Sequence, residues 1–238
     1  MRYLLLICCL IPFGAHCQFE RSIDLVAGIG KSFRFLSTMS DEPHLLNIIE
    51  FREEREQASI NWQLGFNYNH RLNQHVIFKV GIRLASLGHK DESRNELRWG
   101  TDHDGSGGVV PSPEIVDVEL RVAYWFVEVP IVGRWEIGNK KLIPFVEFGA
   151  LPSIFTTFRS TSIIDGESNT DYGKRENGNF NLLHLAGFAS VGLNYQFQEK
   201  MQFFVQPNVR YHFTNISGSP IKDKLYSYGL ELGLRKEI

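Results

Sequence analysis

Residues 202–213 read QFFVQPNVRYHF and alternate with a period of two. Gln202, Phe204, Gln206, Asn208, Arg210 and His212 share one parity, and Phe203, Val205, Pro207, Val209, Tyr211 and Phe213 share the other. Side chains pointing alternately to opposite faces define a β-strand, and here one face is almost wholly polar and the other wholly apolar. Such a strand lies between two unlike environments. The pattern recurs in 59–69, 75–85, 182–197 and 226–235, and less cleanly in 21–35, 116–137 and 141–159. That makes eight candidate strands, most at least as long as the roughly 9–11 residues that a tilted membrane strand needs. Helical periodicity is almost absent.

The connections carry the second signal. Short turns are expected near Asn73-Gln74, Gly138-Asn139 and 198–200, and long polar connections over 37–57, 90–115 and 160–179, with a shorter one at 214–223. Short and long alternate strictly, as in an up-and-down barrel with both termini on the turn side. In a soluble barrel the apolar face would point inward, but eight strands enclose little volume. The Phe, Tyr, Trp and Leu of these strands would overfill it. Turned outward, they form a lipid-facing band, and Gly, Ser and polar residues fill the lumen. The expected fold is therefore all-β, an eight-stranded antiparallel transmembrane β-barrel. A soluble, lipocalin-like carrier is the alternative if the faces are reversed.

Residues 1–17, MRYLLLICCLIPFGAHC, read as a secretory signal. Arg2 supplies the positive start, 4–13 the apolar run, and Ala15 and Cys17 suit a cleavage site, leaving 18–238 as the barrel domain. Lipidation at Cys17 is the rival reading, against which the bulky His16 stands. Cys8, Cys9 and Cys17 all fall in this segment, so the mature chain needs no disulfide framework. A net charge of −2 gives no electrostatic reason to expect nucleic acid as a partner.

The segment 124–134, YWFVEVPIVGR, resembles the Tyr-x-x-x-Glu-[Ile/Val]-Pro-[Ile/Leu] strand of a small outer-membrane β-barrel family of Bacteroidetes-type bacteria that includes PorT-like proteins. The matching residues are Tyr124, Glu128, Val129, Pro130 and Ile131. The following KLIPFVEFGALPS is similar to that family's next strand, although Ala150-Leu151 separates Gly149 from Pro152. The resemblance implies an outer-membrane barrel and no particular reaction; its PorT-like branch implies protein secretion. Ser227-x-Gly229 with Leu232 and Leu234 resembles the terminal insertion pattern of such barrels. Pro130, which lacks a ladder donor, is expected at a bulge or strand end. A phase change is expected with it, because Asp117, Glu119 and Arg121 share one parity and Glu128, Pro130 and Arg134 the other.

Lys79, Arg83, Arg134, Arg210 and Arg235 face the same interior as Asp24, Glu128, Glu147 and Glu231. A charge on the lipid side costs roughly 2–4 kcal/mol for Arg or Lys at mid-bilayer, so these should pair within the lumen and plug it. No catalytic or cofactor motif appears. His184 and Ser190 share a face but stand about 20 Å apart along one strand. His212, Ser217 and Ser219 lie near the outer end without a supporting motif. His103, between Asp102 and Asp104, reads as a solvated turn and not a metal site. The expected function is a structural or interaction platform that meets outer-membrane lipid with its wall and other envelope or secretion proteins with its long loops. Small-solute transport is the other alternative.

Overall fold

The computed structural model describes residues 21–38, 41–98, 101–103, 109–111, 115–138, 141–164 and 166–238. The expected signal, 1–17, lies outside the described residues. Chain order is β1 (Arg21–Thr38), α1 (Pro43–Glu53), β2 (Glu56–Arg71), β3 (Val76–Arg98), β4 (Thr101–His103), β5 (Val109–Pro111), β6 (Ile115–Glu128), β7 (Ile131–Glu136), β8 (Leu142–Ile164), β9 (Glu167–Gly173), β10 (Leu183–Gln198), β11 (Met201–His212) and β12 (Ile221–Glu237).

Sequence neighbours pair antiparallel around the wall, β8 pairs with β10, and β12 returns to β1 from Ser22↔Glu237 to Thr38↔Ile221. The sheet is a closed ring. β6 and β7 are halves of one wall strand and β9 is an appendage of β8, so eight strands make the wall. β4 and β5 form a separate small hairpin. The short turns 72–75 and 198–200, the connection after Glu136, the start of β1 and the end of β12 gather at one end of the ring, here the turn end. Gly138 adopts φ 96 there, a left-handed backbone that glycine accepts without strain. The opposite end is the loop end.

The wall is apolar outside and polar inside. On β12, Tyr226, Tyr228, Leu230, Leu232 and Leu234 are exposed, while Ser227, Glu231 and Arg235 are buried. Every other wall strand repeats this, with Ile60 71%, Phe148 64% and Trp135 61% exposed. From Tyr226 to Leu234 the apolar run covers about 27 Å of strand, or roughly 20 Å of height at a tilt near 40°. Aromatic rings collect at its borders. Trp62 and Trp125 meet edge to face at 5.2 Å across the small Ser86, and Phe33 stacks on Tyr226 at 5.0 Å. This is the inverted layout of a transmembrane β-barrel.

Several local features depart from the sequence reading. The loop 37–57 holds the helix α1, started by a proline at its first turn and burying no residue, so it leaves no amphipathic signature. Much of the loop expected over 160–179 is strand, because β8 continues to Ile164 and pairs with β9. β3 likewise continues to Arg98.

The expected phase change in the fourth wall strand is absent. Tyr124, Phe126, Glu128, Pro130, Val132, Arg134 and Glu136 are all buried, so the even face stays inward throughout. Glu119 and Arg121 stand on the outer face near the loop end, where Lys90 of β3 pairs with Glu119 at 3.2 Å. The bulge lies on the partner strand instead, where Trp125↔Thr157 is followed by Phe126↔Phe155. Pro130 opens the ladder between β6 and β7 without shifting register, since Arg83↔Glu128 and Val80↔Ile131 belong to one frame. Val129 N–H donates to the Pro152 carbonyl at 2.8 Å and Gly81 N–H to the Pro130 carbonyl at 3.2 Å, which holds the gap closed.

The closing seam has no room at Gly30, where an added Cβ would collide with the Tyr228 carbonyl and the Gly229 Cα. At Gly133 on the outer wall the nearest atom to such a Cβ is 3.9 Å away. Gly30→Val is therefore expected to lower the unfolding free energy by about 1–3 kcal/mol. Gly133→Ala should stay within about 0.5 kcal/mol of the parent. Urea unfolding of vesicle-folded protein, followed by tryptophan fluorescence, measures both. Equal midpoints for the two variants would refute the close-approach account.

Candidate functional site

The lumen gathers charge. Below the loop-end residues it holds Lys79, Arg83, Arg134, Arg210 and Arg235 with Asp24, Glu128, Glu136, Glu147 and Glu231, all buried. Five cations face five carboxylates, and the set is neutral.

Six of the ten form a cluster toward the turn end. Glu147 accepts from Lys79 Nζ at 2.7 Å and from Arg134 Nε at 2.5 Å, with Ser190 Oγ at 3.3 Å. Asp24 takes the Arg235 guanidinium in a two-pronged contact, Nε at 2.8 Å and Nη2 at 3.2 Å, and also Asn69 Nδ2 at 2.7 Å. Lys79 Nζ lies 3.4 Å from Asp24 and so links the two carboxylates. Glu136 joins from β7, accepting from Arg235 Nη1 at 3.1 Å and Arg71 Nη2 at 2.8 Å. The Arg134 guanidinium also lies 3.8 Å from the Phe145 ring centroid and 4.7 Å from that of Phe204. A flat, weakly hydrated guanidinium suits that sandwich, whereas an ammonium would lack the fork and the stacking surface.

The other four sit one layer toward the loop end. Glu231 accepts from Arg83 Nη1, Gln63 Nε2 and Gln206 Nε2, each at 2.8 Å. Arg210 Nη1 donates to Glu128 Oε2 at 3.1 Å. Arg83 and Arg210 both lie over the Phe188 ring, at 5.7 and 5.9 Å.

Above this layer the lumen turns apolar. Leu87, Tyr124, Phe126, Phe155, Ile216 and Leu225 form one buried cluster, with Phe158 and Phe180 packed against it. Ile216 arrives from the β11–β12 connection. It is held by Asn181 N–H donating to its carbonyl at 2.9 Å and by its own N–H donating to Asp223 O at 2.8 Å. The Phe180↔Ser217 bridge ties the two connections over the mouth.

Of the motif strand, Tyr124, Glu128 and Pro130 face this interior, and Val129 and Ile131 face out at 40% and 42% exposure. Tyr124 packs in the apolar cluster and Glu128 in the charged layer beneath it. Three of the histidine and serine candidates have separate partners, whereas both ring nitrogens of the buried His212 lack a hydrogen-bond partner among the described residues and its ring packs 5.6 Å from Phe126 and 6.4 Å from His184. His184 bonds Asn181 O at 2.8 Å and Thr214 Oγ1 at 3.3 Å, Ser190 bonds Glu147, and Ser217 Oγ donates to Asp223 at 3.1 Å. No histidine meets a serine hydroxyl among the described residues. The side chain of His103 lies outside the described residues, and no group of three or more metal-ligating side chains occurs among those described.

Glu136 is the network member that sequence reading missed. It lies within the expected strand 116–137 and shares the parity of Glu128 and Arg134, a signal sufficient to find it. The aromatic plates Phe145, Phe188 and Phe204 were hidden, because a ring among polar residues looks like an exception and not a support.

No family model matches the chain, and no curated protein matches it. Among solved structures, similarity is found to Neisserial surface protein A (12% identity, 92% of this chain and 97% of that one, TM-score 0.43). The outer membrane protease OmpT from Escherichia coli matches at 8% identity over 93% and 97%, with a TM-score of 0.41. The N-terminal β-barrel domain of Pseudomonas aeruginosa OprF matches at 12% over 93% and 100%, with a TM-score of 0.37. The barrel assignment rests on the strand ring itself.

Removing one partner from a buried ion pair strands the other, at roughly 3–5 kcal/mol. Glu147 serves two cations and Glu128 one, so Glu147→Ala should destabilise the barrel more than Glu128→Ala. Arg121→Ala, on the outer face, should move stability by less than about 1 kcal/mol. Urea midpoints of the three variants in vesicles test the ranking, and a Glu147→Ala barrel as stable as the parent would remove the case for a paired network.

Proposed function

We propose that this chain is an integral outer-membrane barrel with a closed lumen, and that it acts as a non-catalytic platform through surfaces outside the lumen. One observation carries the reading: a neutral, ion-paired interior lies beneath an apolar mouth cluster, inside a wall whose outer face is apolar. An aqueous pore would leave these charges hydrated and separately mobile. Here each carboxylate is bonded to at least one cation, and solute would have to break several such contacts and then displace Ile216 and Phe126.

The parts free to meet partners lie at the loop end, which faces outside the cell in this reading. There β8 carries β9 beyond the ring, and among the described residues β9 pairs only with β8. Its Tyr172 is 71% exposed. A strand edge of this kind accepts a partner strand by main-chain hydrogen bonds. α1, with no buried residue, adds a second exposed element. The Tyr124–Glu128–Pro130 motif supports kinship with PorT-like barrels, under which the platform would serve protein secretion.

Detergent-extracted protein should migrate differently on gels before and after boiling, and vesicles containing it should retain glucose-sized solutes. A heat shift with rapid solute efflux would convert the reading to a transporter. No heat shift, with the protein in a soluble fraction, would overturn the membrane reading in favour of a carrier.

A further inference from the structure

Between β1, β11 and β12 the outer wall has a groove of about 530 Å³ lined by Phe35, Val209, Tyr211, Tyr226 and Tyr228. Phe35 and Tyr226 also line an adjoining recess of about 220 Å³, whose other walls include Arg34, Glu53, Glu56 and Gln57. The shared residues make one amphipathic groove, apolar along the wall and polar beneath the end of α1.

Charge marks the polar end. On the outer face β1 presents Lys31, Phe33 and Phe35, and the register sets Lys31 opposite Tyr228 and Phe35 opposite Lys224, with Lys222 opposite Ser37. Lys31 and Lys224 are thus separated by about four residue steps, near 13 Å, a span that two lysine side chains bridge from both sides. Lys31, Lys222 and Lys224 make no ion pair among the described residues, while Arg34 is already bonded to Glu56. With Asp223, which acts on Arg34 from between Lys222 and Lys224, four cations stand against three carboxylates, Glu53, Glu56 and Asp223, and the surplus is one positive charge. The patch lies at the upper border of the apolar band, beside the Phe33–Tyr226 stack, where lipid headgroups meet the wall.

We infer that this groove binds one anionic, phosphate-bearing membrane lipid, with an acyl chain along Tyr228 and Val209 and its headgroup between Lys31 and Lys224. The inference rests on the membrane reading above. A chain lying on exposed tyrosine and valine covers apolar surface, and the two ammonium groups supply the charge that a zwitterionic headgroup does not need. A basic side chain at an anionic surface favours it about fivefold.

The test is native mass spectrometry of the full barrel released from vesicles of equal phosphatidylglycerol and phosphatidylcholine, after a heat shift on gels has verified folding. The parent should retain one phosphatidylglycerol in preference to phosphatidylcholine by at least about fivefold. The Lys31→Gln/Lys224→Gln double variant should bring the two lipids near parity. Lys200→Gln/Lys236→Gln, which removes the same charge at the turn end, should leave the preference intact. Parity in the heat-shifted parent, preference surviving the first double variant, or equal loss in both would overturn the site alone. Absence of a heat shift in the parent would overturn the membrane reading and this site with it.

Discussion

β1 and β12 join the two ends of the barrel domain, from Ser22↔Glu237 to Thr38↔Ile221, and most of the remaining structure depends on that seam. A sheet facing hydrocarbon has no water for its backbone, so a strand ring survives there only without edges. Closing the ring with eight strands leaves a bore that side chains fill. Two consequences follow together. Outward positions are free to be large and apolar, and inward positions are small, polar, or apolar groups such as Phe145, Phe204 and Leu87 that fill the bore. At Gly30 beside Gly229 the seam backbones approach too closely for a side chain.

The charged interior is the second consequence. Moving an isolated ion into a low-dielectric interior costs far more than any single contact returns, so each charge must be matched within the same closed space. The matching is shared: Glu147 and Asp24 each engage two cations, Glu136 engages Arg235 and Arg71, and Glu231 gathers one arginine and two amides. Arginine supplies four of the five cations, because its fork meets two acceptors and its plane rests on Phe145 and Phe204. The Lys90–Glu119 pair on the outer face has the same chemistry in contact with solvent and contributes at most about 1 kcal/mol. Placement separates the two cases.

Where the alternation was clean, sequence parity named both the strand and its buried face, as at Gln202–His212 and Tyr226–Arg235. Legibility failed where periodicity carries no information. α1 buries nothing, so nothing in its sequence repeats. The β8–β9 extension is polar on both faces over 159–162 and 167–171, and a polar strand reads as a loop. The charges at Glu119 and Arg121 demand a phase change only if the outer face is apolar along its whole length. β6 runs beyond the apolar band, and there an outward charge meets Lys90. The bulge at Thr156 on β8 is a relation between two paired strands, which one strand's sequence cannot express. The mouth cluster was illegible for the same reason, since Ile216 and Phe180 come from separate connections and meet only in space.

The division between lumen and wall also bears on where activity can reside. A lumen whose ionic groups are mutually bonded and whose mouth is apolar is rigid, because moving any one member strands another. Rigidity of that kind would hold the wall in fixed relation to the strands above it, as the proposed platform requires. Among the described residues, the features left without partners lie elsewhere: the β9 edge above the ring, and the lysines beside the aromatic groove on β1 and β12. The lysines occupy strands whose inner faces belong to the network or to the cluster above it. The same alternation that buries charge on one face therefore presents a rigid and chemically distinct surface on the other.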